Sequence, residues 1–369
     1  MDKKDEKDEK DEKDWEEKKT KGQFYTVNSL YILDGLYLPP KTSRCVIEPF
    51  VGKGDLVEWL ENMGNTLPVE MYDIDPKIKG VIQRDTLMNP PDYREAWVIT
   101  NPPYLARNKC KKKEIFDDYD MNDLYKCFLL SLTQQESCCA GGIFILPVGF
   151  FLSPRKIDVR CRNAFLSKYR LLKVKYFEEN VFPDTTTTIV AFAFEKSNSL
   201  EVLKEQNVEW ISLPSGKSKV FPMHVQNDWI IGGDIYHLPL PPTLNREIKI
   251  RRYVQGQKLK EGESITSMTL CALDSGTKEG GRISLEYKED YVYPAKDTSR
   301  TYATLCVEGI HLSAEQQKKI CQEFNDFIEK KREETWSLFL PQYRESKEYA
   351  RKRIPFELVY LIVLYLLNS

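Results

Sequence analysis

The sequence predicts an α/β fold, a largely parallel sheet with helices on both faces, followed by a second, less regular α+β domain. Three observations predict it. Between Arg44 and about Lys196, short β-rich apolar runs alternate with amphipathic stretches, as when helices connect parallel strands. A glycine-bearing turn follows the first run and polar residues follow the next two, and open α/β sheets collect ligands at these carboxyl ends. After Lys196 the texture shifts to short strands, turn signals and prolines at 239, 241 and 242. The 369 residues suit two domains, and 41% hydrophobic residues can build ordinary cores.

Residues 1 to 21 form a Lys/Asp/Glu tail with 10 acids and 8 bases. It has almost nothing to bury and reads as a solvated arm. Domain one then spans 22–196. Its expected strands are Cys45-Val46-Ile47, Val69 to Tyr72, Trp97 to Thr100, Gly142 to Leu146, Leu172 to Tyr176 and Thr188 to Phe194. Ser197-Asn198-Ser199 marks the expected boundary, and domain two spans 197–369. It closes with two expected helices, Ser313 to about Trp336 and Arg344 to Leu367. The second turns from charged to apolar, so that its end packs on the body of the domain.

The chemistry-bearing residues sit at the expected strand ends. Ile47-Glu48-Pro49-Phe50-Val51-Gly52-Lys53-Gly54-Asp55-Leu56 places a carboxylate and two glycines between a strand and a helix, where absent side chains let backbone approach a nucleoside. Tyr72-Asp73-Ile74-Asp75-Pro76 ends the second strand with an acid that can accept from two ribose hydroxyls. Arg84-Asp85-Thr86-Leu87 adds a third acid. Asn101-Pro102-Pro103-Tyr104 follows the next strand; its two prolines stiffen the loop and lack N–H groups. The carbonyls of Asn101 and Pro102 are then available as acceptors and the Tyr104 ring as a stacking face. Such a site suits a planar amide or an exocyclic amine, whose developing positive charge the acceptors stabilise.

Taken in order, Gly22-Gln23-Phe24-Tyr25-Thr26, Glu48 to Leu56, Asp73, Asp85, Asn101 to Tyr104 and Val181-Phe182-Pro183 resemble the gamma-type N6-adenine DNA methyltransferases of restriction-modification systems and large algal viruses. The resemblance covers roughly residues 22 to 196. It implies S-adenosylmethionine (SAM) as cofactor, with Phe24, Tyr25 and Thr26 around its methionine part and Glu48, Phe50 and Gly52 lining the same side. Asp73 would bind the ribose hydroxyls, Ile74 would lie against the adenine ring, and Asp85 would accept the adenine amino group. Asn101, Pro102, Pro103 and Tyr104 would form the target-base pocket, with Asn101 also beside the cofactor and Phe182 as a second aromatic on the extruded base. Thr86 departs from the pattern, standing where relatives often carry an apolar or aromatic residue, so looser packing beside the cofactor adenine is expected.

Such an enzyme must flip its base out of the duplex, a cost met by stacking and phosphate contacts. The net charge of −2 supplies no global attraction for DNA, so a local basic surface is required. Arg107, Lys109, Lys111, Lys112 and Lys113 follow the Asn-Pro-Pro-Tyr loop directly and are the candidate backbone clamp. Arg246, Lys249, Arg251 and Arg252 begin the next basic stretch, followed by Lys258 and Lys260. The resemblance gives base reading to the second domain, with candidate loops at 273–278 and 296–301 carrying Lys278 and Arg300. Its expected partner is double-stranded DNA; it leaves open a cognate restriction endonuclease acting separately.

Two other acceptors fit the same pocket chemistry, RNA adenine N6 and protein glutamine N5. The Gln-Phe-Tyr-Thr motif and the large second domain oppose the glutamine reading. A DNA-binding protein with an inactive methyltransferase fold is opposed by the complete set of polar residues. No metal site is expected, since the nine cysteines form no CxxC pair and the three histidines are scattered. The apolar runs Gly141 to Leu152 and Leu358 to Leu367 are too short to span a bilayer. With unpaired cysteines and no signal-peptide pattern, an intracellular setting, cytoplasm or nucleus, is expected.

Overall fold

A computed structural model describes residue 26 and residues 28–134, 138–182, 187–197, 202–241, 248–275, 281–343 and 351–368. The charged tail, Phe24, Tyr25, Arg246 and Lys278 lie outside these residues. The described chain divides into two compact units, one running to Val225 and the other from Gln226 onward, with Leu152–Pro154 counted in the second.

The first unit opens with a short helix, α1 (Ser29–Leu33). Its strands are β1 (Val46–Glu48), β2 (Val69–Asp73), β3 (Ile82–Gln83), β4 (Trp97–Thr100), β5 (Gly141–Pro147), β6 (Tyr169–Phe177), β7 (Ile189–Lys196), β8 (Glu205–Leu213) and β9 (Lys217–His224). They make one sheet in the order β3-β2-β1-β4-β5-β7-β6-β8-β9. All six strands expected from sequence are present. Every residue of β1, β4 and β5 is buried, which is why these strands read as unbroken apolar runs without alternation.

Three features differ from expectation. β7 runs antiparallel to both β5 and β6, because a run buried on both faces carries no sign of its direction. β3 has only two residues, both exposed, and pairs parallel with β2, so it leaves no hydrophobic pattern. The sheet also does not stop near 196. β8 pairs parallel with β6 and antiparallel with β9, which moves the division between units to Val225/Gln226.

Helix α2 (Asp55–Asn62) follows the glycine turn and buries Leu56, Val57, Trp59 and Leu60. Helices α3 (Glu114–Tyr119) and α4 (Leu124–Ser131) follow the basic loop, and α5 (Lys156–Leu166) precedes β6. In α5, Asp158 forms a buried ion pair with Lys126 of α4, a contact costly to break from one side.

The second unit is α+β. Its sheet, in the order β10 (Lys249–Arg252), β13 (Tyr302–Glu308), β11 (Glu263–Cys271), β12 (Ser284–Tyr287), is antiparallel throughout. Helix α6 (Ala314–Thr335) begins with a capping box between Ser313 and Gln316. It buries Ile320, Phe324 and Ile328 at helical spacing, packed with Leu270, Leu285 and Leu305 of the sheet in one core. The final helix, α7 (Phe356–Leu366), is shorter than expected. Arg351–Lys352 instead pairs with Gln342–Tyr343, and Pro355 caps the helix, since proline is excluded from a helix interior.

Candidate functional site

In this sheet the chain leaves β1 toward β2 and β3, then returns to β4 on the other side of β1. That is a topological switch point, where a crevice opens beyond the carboxyl ends of the strands. The residues following β1, β2, β3 and β4 meet there. A cavity of about 860 Å³ is lined by Phe50, Gly52, Asp73, Ile74 and Asp85 on one side and by Asn101, Pro103, Lys109, Lys111 and Lys112 elsewhere.

Glu48, the last residue of β1, is 1% exposed. Its Oε1 accepts from Phe50 N–H at 3.1 Å and from the Thr100 hydroxyl at 2.6 Å. Oε2 is buried without a partner among the described residues. Burial pushes its carboxyl up to about 8; the bonds from Thr100 and Phe50 oppose the rise, and nearby Asp73 adds to it. Gly52 and Gly54 both have positive φ, 56° and 91°, and a Cβ at Gly54 would lie 2.8 Å from Ile78 Cδ1. Glycine is therefore required for this turn.

Asp73 ends β2 and is buried. Its Oδ2 accepts from Gly52 N–H and its Oδ1 from Asp75 N–H, each at 2.8 Å. The first bond ties the β2 end to the glycine turn, and each carboxylate oxygen has a second lone pair for a ligand. Ile74 follows, 54% exposed although apolar. Asp85 Oδ1 accepts from the N–H groups of Leu87 and Met88 at 3.2 Å, which closes the turn beyond β3. Thr86 lines the cavity, but its hydroxyl donates to the Pro49 carbonyl at 3.0 Å and is thereby satisfied.

Asn101 follows β4, and its amide is held at both ends. Nδ2 donates to Thr26 Oγ1 at 3.2 Å. The Tyr104 hydroxyl lies against Asn101 Oδ1 and also against the Ile145 carbonyl at 2.7 Å. Burial raises the Tyr104 hydroxyl well above the usual phenol range, so it stays a proton donor. Tyr104 is only 7% exposed and packs edge-on to Tyr125. It is not among the residues lining the cavity, so its ring is not the open stacking face expected from sequence. Pro102 and Phe182 are likewise buried and do not line the cavity.

The basic loop behaves unevenly. Arg107 pairs with Asp117 at 2.5 Å. Lys109, Lys111, Lys112 and Lys113 are exposed and have no ion-pair partner among the described residues. In the second unit two expected basic contacts are engaged internally. Arg251 pairs with the Glu263 carboxylate, and Arg252 donates to the Ser299 and Asp297 carbonyls beneath the loop that carries exposed Arg300. Their place inside the sheet edge makes them structural.

Sequence reading missed two contributors. Thr100 anchors Glu48, and its signal is a hydroxyl ending an otherwise apolar strand. Arg84 lines the cavity, donates to the Asn89 and Pro90 carbonyls and lies 5.4 Å from the Tyr72 ring centroid. Among the described residues, no group of three His, Cys, Asp or Glu side chains is placed to hold a metal ion. No helix among them is long and apolar enough to cross a membrane.

The strand order and the strand-end residues define the class: an α/β sheet with a ligand crevice at its topological switch point. No protein-family model matches the chain. It is similar to the type II methyltransferase M.AccI of Acinetobacter calcoaceticus, 23% identical over 268 residues, which are 66% of this chain and 48% of that protein. The chain thus spans about half the length of the curated relative it matches. Among solved structures it is similar to a type I restriction-modification methyltransferase subunit from Streptococcus thermophilus (17% identity, TM-score 0.37, 51% of this chain and 47% of that one). It is also similar to the type IIG restriction endonuclease BpuSI (14% identity, TM-score 0.38, 60% and 35%).

Proposed function

We propose that this protein transfers a methyl group from SAM to the N6 amino group of adenine in duplex DNA, as a restriction-modification methyltransferase. The observation that carries the reading is one cavity lined by the two acids following β2 and β3, by Asn101 after β4 and by unpaired lysines. The residues present fit the cofactor. Asp73 and Asp85 are acceptors for ribose hydroxyls and an adenine amino group, exposed Ile74 is an apolar face for the adenine ring, and the Glu48 carboxyl, held neutral by burial, would ionise against a cationic methionine end. Phe50, Gly52 and Thr26 complete the methionine side, with Phe24 and Tyr25 ahead of them in sequence.

Bound there, the cofactor supplies an electrophilic sulfonium methyl. Asn101 Oδ1 and the Pro102 carbonyl accept the N–H groups of the target amine, orient its lone pair and stabilise charge developing on nitrogen. The Tyr104 hydroxyl keeps Asn101 in one rotamer. Flipped adenine requires the Pro102 carbonyl and Tyr104 or Phe182 to open toward the base, paid for by stacking and phosphate contacts. Lys109, Lys111, Lys112 and Lys113 make those phosphate contacts, joined by Arg107 only if it leaves Asp117, and the second unit reads bases, Arg300 and Lys278 among its candidates. The setting is intracellular, and any cognate endonuclease acts separately.

The test is incubation with radiolabelled SAM and duplex DNA, single-stranded DNA, RNA or protein extract, followed by nucleoside and amino-acid analysis. Labelled N6-methyladenine from duplex DNA is the expected result. Label in RNA alone, or in protein glutamine, would overturn the assigned acceptor and leave the fold intact.

A further inference from the structure

Lys175 lies near the C-terminal end of β6 and is 4% exposed. A buried ammonium is costly unless its protons are satisfied, and here the partners are specific. Nζ donates to the carbonyls of Tyr31 and Asp34, both at 2.8 Å. These belong to α1 and the residue that ends it, carbonyls that a helix terminus leaves without intrahelical partners. The ammonium also stands 5.8 Å from the ring centroids of Tyr31 and Phe177, which pack edge-to-face. The Tyr31 hydroxyl donates to Glu179, just beyond β6. Helix α1 is thus fastened to β6 by a charge-assisted bond to its C-terminal end. Five residues before Tyr31 is Thr26, buried, whose hydroxyl accepts from Asn101 Nδ2.

We propose that Lys175 is a positioning residue for the pocket: by closing the end of α1 from β6, it holds Thr26 against Asn101 and so sets the Asn101 amide. The cofactor part of this inference rests on the SAM-binding reading above. Lys175 is not among the residues lining the cavity and acts through the seven residues of chain between Thr26 and Asp34. The depression of its ammonium to about 8, caused mainly by burial, is consistent with a cation kept in place for its hydrogen bonds.

The experiment compares the full chain with Lys175→Met, Lys175→Arg, Thr26→Val and the Lys175→Met/Thr26→Val double variant. Amide hydrogen exchange at 28–34 and SAM affinity by calorimetry are the readouts, with thermal melting as the fold control. Lys175→Met is expected to speed exchange at 28–34 selectively and to weaken SAM binding about tenfold, the effect of losing hydrogen bonds to a charged group. Lys175→Arg restores part of both. The double variant is expected to bind SAM no worse than the weaker single variant, since both cut one linkage. Unchanged exchange at 28–34 in Lys175→Met, or additive losses in the double variant, overturns the proposal. If Lys175→Met is unfolded, retention of full SAM affinity by Thr26→Val overturns it. If the wild-type chain binds no SAM, the methyltransferase reading fails separately, and exchange at 28–34 still decides whether Lys175 holds the segment.

Discussion

Asn101 and Tyr104 share one hydrogen bond, so their variants separate two contributions to the pocket. Removing the Asn101 amide takes away a directed acceptor, a loss of about 100-fold to 1,000-fold in kcat for a single electrostatic group. Tyr104→Phe keeps the ring and loses the hydroxyl that lies against Asn101 Oδ1 and the Ile145 carbonyl. It should lower kcat about tenfold, with SAM affinity little changed. Asp73→Ala should act on SAM affinity first, because Asp73 also ties Gly52 to β2. Equal loss of SAM affinity in all three would show that these residues do not divide into cofactor and base sides. Glu48 gives a pH signature. Its carboxyl is raised from 4.5 to about 8 by burial, so between these values the folded state holds a proton that the unfolded state has lost. Stability from the neutral form is complete below the lower value, declines as pH rises between them and is absent above about 8. Glu48→Gln should remove that decline, seen as a flatter melting temperature against pH than in the wild type. Parallel pH profiles would assign the decline to other groups.

At the scale of elements, the turn between β1 and α2 makes the sharpest prediction. Gly54 has φ 91°, strained for any residue with a Cβ, which would also have to displace the exposed end of Ile78, so Gly54→Ala should destabilise the first unit by about 1–2 kcal/mol or more from the backbone term alone. Chemical denaturation monitored by tryptophan fluorescence measures it, and an unchanged midpoint would mean the turn relaxes freely. This turn was legible in sequence because glycine, acid and helix start follow one strand within a few residues. Six strands of the first unit were legible for a related reason, their short runs of apolar residues. Direction was not legible: β7 pairs antiparallel with residues that would look the same in a parallel strand. Nor was β3, whose Ile82 and Gln83 are both exposed. The boundary was misplaced because Ser197-Asn198-Ser199 has the composition of a linker, whereas the strands that follow complete the sheet. Asn101 and Asp73 could be found from their order along the chain. The burial of Tyr104 and Phe182 could not, since it depends on Tyr125, Ile145 and other residues remote in sequence.

For the whole molecule the electrostatic question is how a chain with 54 basic and 56 acidic residues binds a polyanion. Net charge gives no attraction, so affinity has to come from clustered cations whose counter-charges lie elsewhere. Within the described residues many cations are already committed. Arg44 is paired with Glu70, Arg160 with Asp120, Arg170 with Glu195 and Arg251 with Glu263. Lys111, Lys112 and Lys113 are exposed without such partners, and two of the three line the cavity. Each phosphate neutralised by a lysine releases condensed counterions, so each contributes about 0.9 to the slope of log affinity against log salt on duplex DNA. Replacing all three with alanine should therefore weaken duplex binding most at low salt and reduce that slope by up to about 2.7. An equal loss at every salt concentration would mean that the substitutions act through the fold of the loop. No loss at all would move the phosphate contacts to another face, and with them the route by which the flipped base reaches Asn101.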